Sequence, residues 1–145
     1  MIYRIDNMSL SNVAQVLVKI PELDNSFDIQ LAAARLGNTG LLLGAYDGNG
    51  EVVGFKLGYD RYQDGSFYSW LGGVVPAVRQ HGVAQSLLQE QERRVQNLGF
   101  CGIYVKTRNK FVGMRVLLAK QGYQVVSVSA MCSPTENRLL HYKAL

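Results

Sequence analysis

Apolar and polar residues recur with two different periods along this chain, and the changes of period divide it into elements. Leu41-Leu42-Leu43-Gly44-Ala45-Tyr46 and Val52-Val53-Gly54-Phe55-Lys56-Leu57-Gly58-Tyr59 read as strands. Asp47-Gly48-Asn49-Gly50 between them is a strong hairpin turn. A further strand, Ser66 to Val75, follows a turn at Gln63-Asp64-Gly65, and a first strand is expected over residues 2–5. Helical spacing places Val13, Val16, Leu17 and Ile20 on one face, with Ser9 or Ser11 as the cap and Pro21 as the stop. A second helix is expected from Phe27 to Leu36, stopped by Gly37 and Asn38. A third begins near Gln80, carries Ala84, Leu87, Leu88, Val95 and Leu98, and ends at Gly99. A strand over 101–106, a helix over 110–121 closed by Gly122, and strands over 123–131 and 138–142 complete the chain. The order β-α-α-β-β-β-α-β-α-β-β predicts an α/β fold with a mixed, mostly antiparallel sheet and helices on both faces.

With 145 residues, 48% of them hydrophobic, the chain can bury one core, so a single domain over 1–145 is expected. No apolar run nears the ~20 residues of a membrane span, and the start reads as a strand rather than a targeting segment. Cys101 and Cys132 lack metal-ligand spacing, which predicts two reduced, partly buried thiols, no metal, and a cytoplasmic protein. The net charge of +4 conceals an asymmetry: residues 1–64 hold five Lys/Arg against eight Asp/Glu, and residues 65–145 hold ten against three. A basic half suits a polyanionic ligand, though solvated helix faces give the same tally.

That half also carries Val74-Val75-Pro76-Ala77-Val78-Arg79-Gln80-His81-Gly82-Val83-Ala84. An apolar strand ends at a proline, and an R-x-x-G-x-A step then opens a helix. Such a loop turns unpaired N–H groups toward one point at a helix N-terminus, which is what holding a phosphate or pyrophosphate requires. Gly82 allows close backbone approach, and Ala84 keeps the first helical turn near the strand. Just upstream, Gly72-Gly73 weakens a strand unless a bulge or a close approach needs it.

The layout, this loop, and the Asn109-x(12)-Gly122-Tyr123 spacing downstream resemble the GNAT superfamily of acetyl-CoA-dependent N-acetyltransferases. The resemblance implies a cytoplasmic enzyme that moves acetyl from acetyl-CoA to a primary amine by direct attack in a ternary complex. It implies that strand 4 splays from strand 5 to admit the pantetheine arm. Main-chain groups of Val74 and Val75 would pair with that arm, and an N–H there would stabilise the oxyanion. Amides of His81, Gly82, Val83, Ala84, Gln85 and Ser86 would hold the pyrophosphate, Gln80 would join the cofactor site, and Arg79 would add charge or order the loop. His81 reads as an exposed loop residue rather than a base. Asn109 stands where the family's pantetheine-contacting asparagine does, displaced from its usual spacing, and could equally be a helix N-cap. Arg108, Lys110, Arg115 and Lys120 could hold the 3′-phosphate or be a solvated helix face.

The catalytic residues of the family are not all in their usual places. Its strand-4 carboxylate would fall in Phe67-Tyr68-Ser69-Trp70-Leu71, which holds no acid; Asp60 and Asp64 read as loop residues. Its tyrosine acid, four residues before the helix-ending glycine, is Leu118 here. Tyr59, Tyr68 and Tyr104 are substitutes by residue type alone, so no general base or acid is assigned. Tyr59, Tyr62, Phe67, Tyr68 and Trp70 cluster beside the cleft; Tyr59, Tyr68 and Trp70 are the candidates to line an acceptor pocket, with core packing as the other reading. His141 reads as structural. The acceptor is a small-molecule or peptide amine, and the resemblance leaves room for a homodimer through edge strands. Two other readings stand beside the enzyme: an acyl-CoA-binding module without turnover, and a basic nucleic-acid-binding domain. The second is disfavoured because the aromatics sit mainly in the acidic half or at its border.

Overall fold

Asp47-Gly48-Asn49-Gly50 closes as its composition predicts, the Asp47 carboxylate accepting from the N–H groups of Asn49 at 2.9 Å and Glu51 at 3.0 Å. It joins β2 (Leu41–Tyr46) to β3 (Val52–Tyr59), which run antiparallel. The computed structural model describes residues 3–23 and 27–145. Around this hairpin stand β1 (Arg4–Asn7), α1 (Leu10–Leu17), α2 (Ile29–Leu36) and β4 (Ser66–Val74). After β4 come α3 (Val83–Asn97), β5 (Gly102–Arg108), α4 (Val112–Lys120), β6 (Gln124–Ser129) and β7 (Arg138–Ala144). All seven strands join one sheet in the order β1-β2-β3-β4-β5-β7-β6, antiparallel except where β4 meets β5. The fold class and element order are those expected from the sequence.

The periodicities place the core. Val13, Val16 and Leu17 of α1 and Leu36 of α2 pack with Phe55 and Leu57 on one face of the sheet. On the other, Leu87, Leu88 and Val95 of α3 and Leu118 of α4 pack with Leu43, Phe67, Ile103 and Val105. Each such side chain contributes about 1.5–3 kcal/mol by leaving water. Ser9 caps α1, its hydroxyl accepting from the Asn12 N–H at 3.2 Å. Asp28 caps α2, taking the N–H groups of Gln30 and Leu31 at 2.9 and 3.2 Å.

Several boundaries differ from expectation for local reasons. The helix expected to reach Pro21 ends at Leu17, and tight turns still carry Ile20 into the core, 3% exposed. Phe27 lies outside α2 because Asp28 caps it. The first strand is Arg4–Asn7, and Ile2, part of the expected strand, lies outside the described residues. Cys101 and Cys132, expected to be partly buried, are both exposed free thiols. Among the described residues no helix is long and apolar enough to cross a membrane.

Candidate active site

β4 and β5 run parallel and paired only from Ser66 to Ser69 against Gly102 to Val105. Beyond Ser69 both strands continue, β4 to Val74 and β5 to Arg108, with no bonds between them, so the sheet opens into a fork. The β-bulge falls at Trp70 rather than at the glycines: Leu57 faces Leu71 and Gly58 faces Ser69, which leaves Trp70 without a partner. Gly72 and Gly73 keep regular register with Lys56 and Phe55. They serve close approach instead, because a Cβ on Gly73 would come within 3.0 Å of Ile20 and one on Gly72 within 3.1 Å of the Phe55 carbonyl.

The ladder decides which main-chain groups face the fork. The Val75 N–H donates to the Val53 carbonyl at 2.9 Å, and the Val75 carbonyl accepts from the Val78 N–H at 3.2 Å. Val75, expected to pair with a ligand arm, is therefore committed on both sides. An antiparallel pair alternates bonded and non-bonded positions, so Val74 and Gly72 turn their amides away from β3, toward the fork. Gly72 was missed in the sequence because its glycine pair reads as a bulge or a close approach, whereas ladder parity is set by the facing residues of β3.

Pro76–Val78 forms a single 3-10 turn after β4. Gln80 (φ +66°) and Gly82 (φ +78°) then take left-handed conformations, so α3 starts at Val83 and not near Gln80 as expected. No side chain caps α3. Among the described residues, the N–H groups from Gln80 to Gln85 have no hydrogen-bond partner, whereas Ser86 donates to the Gly82 carbonyl at 3.0 Å. Gln80, His81, Gly82, Val83, Ala84 and Gln85 thus offer donors at the positive end of a 15-residue helix, and Ser86 does not. A Cβ at Gly82 would meet nothing within 4 Å, so the space beside these donors is open.

Arg79 orders the loop. Its Nε donates to the Val74 carbonyl at 3.1 Å, and its two terminal nitrogens grip the Glu22 carboxylate, the Nη1 bond measuring 3.0 Å. The hydrogen bond from Arg79 holds the Glu22 carboxyl below its usual pKa. His81 is exposed, its Nδ1 within 3.2 Å of the Tyr3 hydroxyl. Asn109 is no helix cap, because Phe111 holds that position. Its amide nitrogen donates to the Pro134 carbonyl at 3.1 Å and its backbone N–H to Asn137 at 2.8 Å, tying β5 to the turn before β7. Arg108 and Lys110 pair with Glu136, and Arg115 donates to the Asn109 carbonyl. Leu118 is fully buried.

Under α3 lies a buried charge that sequence reading passed over as one polar residue in a strand. Lys56 is 5% exposed, and burial pulls its pKa down to about 8 against the opposing attraction of Glu92. Glu92 itself pairs with Lys143 at 2.7 Å. His141 is buried on β7 opposite Val105, and burial lowers its pKa.

The opposite face of the fork is aromatic. Tyr59 meets both Tyr68 and Trp70 edge-on at 5.9 Å, so these three candidates are brought together. The row continues through Tyr62, 5.9 Å from Tyr68, to Tyr104 at 5.3 Å, and from Tyr104 to Tyr142 at 4.6 Å. Phe67, grouped with them in the sequence, points to the other face against Phe100, as strand alternation requires. Burial raises the Tyr68 pKa, with nearby Arg61 opposing it. Among the described residues, no group of three or more His, Cys, Asp or Glu side chains could hold a metal ion.

The fold as a whole has counterparts among solved structures. The Acetyltransferase (GNAT) family model matches residues 7–123. The ribosomal-protein-S18-alanine N-acetyltransferase from Escherichia coli superposes with TM-score 0.83 at 12% identity, over 99% of this chain and 94% of that one. Ard1 from Thermoplasma volcanium gives 0.82 at 16%, over 100% and 99%. The NatC complex bound to Gag peptide and CoA gives 0.84 at 14%, also over 100% and 99%. No curated protein sequence matches the chain. The chain belongs to the acetyltransferase (GNAT) family, and it is an acyltransferase.

Proposed function

We propose that the protein transfers acetyl from acetyl-CoA to a primary amine by direct attack within a ternary complex. One observation carries this reading: the fork between β4 and β5 opens beside six unpartnered amides at the α3 N-terminus. Those amides suit a pyrophosphate, since hydrogen bonds to a charged oxygen are short and strong and the helix dipole adds to them. The Gly72 and Val74 amides suit an extended amide-bearing arm laid along β4 like an added strand. When bound, acetyl-CoA supplies an electrophilic thioester carbonyl: the C–N bond forms, the C–S bond breaks, and the electron pair leaves on sulfur. The chain's part is to hold that carbonyl near a β4 amide and present a neutral amine from the aromatic face. Leu118 is buried and the β4 segment has no carboxylate, so neither proton-transfer role falls on the family's usual residues.

Thermal-shift titration with acetyl-CoA and CoA, followed by thiol release against a panel of amines, tests the reading. Stabilisation by both species and thiol release with at least one amine class are expected. Stabilisation without release across the panel would establish the non-catalytic acyl-CoA-binding module instead. Absence of stabilisation would end both readings.

A further inference from the structure

Four cations without an ion pair among the described residues stand on the aromatic face of the fork, beside a fifth, Arg108, which lies opposite Arg138 and is paired with Glu136. The Arg61 guanidinium carbon lies 4.9 Å from the Tyr68 ring centroid and 5.6 Å from that of Tyr62. That of Arg35, on α2, lies 5.3 Å from the Trp70 ring. Lys106 is two residues beyond Tyr104 on β5, and Arg138 lies four before Tyr142 on β7, so strand alternation sets both on this face. Burial, then Arg61 and Arg138, lower the Lys106 pKa, so the three share one field.

Among the described residues, the nearby carboxylates have partners of their own. Asp28 caps α2, Asp60 accepts from the Gln63 N–H at 3.1 Å, and Asp64 takes the Ser66 N–H at 2.9 Å. Glu136 pairs with Arg108 at 3.3 Å and Lys110 at 2.7 Å. Among the described residues, none of Arg35, Arg61, Lys106 and Arg138 has an ion pair. A face of unpaired cations is complementary to an anion and repels a polycation.

We propose that the acceptor is a small amine carrying a carboxylate or phosphate, and that Arg61, Lys106 and Arg138 bind that oxyanion. The proposal rests on the acyl-transfer reading and narrows it. It also bears on the missing base: positive surroundings disfavour an ammonium and favour the free amine. The field of the cluster thereby promotes the deprotonation that a β4 carboxylate would otherwise assist, and the proton passes to solvent. A nucleic acid is the poorer occupant. The rings meet one another at 72–89° from Trp70 to Tyr104, Tyr68 is 4% exposed, and Tyr62 alone in the row is exposed, at 39%, so the rings form no run of open platforms on which successive bases could stack.

Trp70 is the only tryptophan in the chain, so its emission reports this cleft directly. The probes are inorganic phosphate, aminoethyl phosphate, glycine, spermidine and an oligothymidylate, titrated against the protein saturated with CoA. Aminoethyl phosphate or glycine is expected to perturb Trp70 at concentrations about tenfold below spermidine, and inorganic phosphate marks the oxyanion's share. Aminoethyl phosphate against glycine decides between phosphate and carboxylate. Half-saturation should rise about fivefold in Lys106→Gln and in Arg138→Gln, with CoA stabilisation of both variants retained. Tighter binding of spermidine or the oligothymidylate, or unchanged half-saturation in both variants, overturns the proposal. If CoA fails to stabilise the wild type, the acyl-transfer reading falls. The same titrations on the free protein then still decide the anion site, because both variants leave the α3 loop intact.

Discussion

The two faces of the fork offer different means of recognition. On the α3 side the donors are backbone amides, aimed by two left-handed residues and a helix axis, and the one charged side chain of the loop is spent on Glu22. On the α1–α2 side the backbone is an ordinary strand surface, and the groups on offer are rings and cations. A cradle of amides depends on conformation and survives replacement of the side chains around it. A patch of cations exists only while those residues are kept. Within one fold, the first kind of site suits a ligand common to a family and the second suits a ligand particular to a member.

The severest challenge to this contrast is Gly82→Trp, which forces an L-residue into φ +78° and fills the open space beside the amides. We expect CoA affinity to fall about 1,000-fold, near 4 kcal/mol, by calorimetry. The fold itself should lose only the roughly 1–2 kcal/mol of a left-handed residue. Unchanged affinity would mean that the amides are not the cradle.

Lys56 is the exception on the amide side, a side-chain charge held out of water. Its folded pKa of about 8 lies below its ordinary 10.5, so between these values the unfolded chain binds more protons and stability rises with pH. Below pH 8 the full cost of charging it is present. Lys56→Met should therefore be more stable than wild type at pH 7 by about 3 kcal/mol, at 1.36 kcal/mol per pH unit. The gap should close toward pH 10.5 in urea unfolding. A less stable variant at pH 7 would show that attraction to Glu92 outweighs burial.

Glu22→Gln should have the smallest effect. If Arg79 is a strut, releasing it loosens the loop and weakens CoA binding about threefold, within the range of a half-exposed ion pair. A rise in affinity would instead show that the freed guanidinium contacts the ligand. Because the Glu22 pKa is depressed, the pair persists above the ordinary carboxylate range and is lost only as pH falls through the lowered value. CoA affinity measured from pH 8 to pH 6 should therefore show no Glu22-dependent change.

The turn chemistry and periodicities carried the fold. Asp47 to Gly50, the cap at Ser9 and the alternation through β2 and β3 are local, and the structure keeps them. The loop motif was legible for the same reason, being one contiguous stretch. What eluded the sequence is set by parity and by distance along the chain. Whether Val75 or Gly72 faces the fork depends on which residue of β3 each opposes, and a bulge at Trp70 shifts that count. Phe67 and Tyr68 are neighbours in sequence and lie on opposite faces. Arg35, Arg61, Lys106 and Arg138 come from four separate elements or connections, and only the sheet order assembles them. The basic tally of the second half gave no hint that two of these cations belong to the acidic half.

The short seam between β4 and β5 has a mechanical consequence. The sheet is two antiparallel plates, β1 to β4 and β5-β7-β6, joined by four residue pairs at one end and parted at the other. A ligand laid along β4 would lengthen that joint and turn two hinged plates into a single stiff one. Slower hydrogen exchange at the Gly72 and Val74 amides on adding CoA would record that stiffening, and unchanged exchange there would refute it. In this sense the protein is built one strand short.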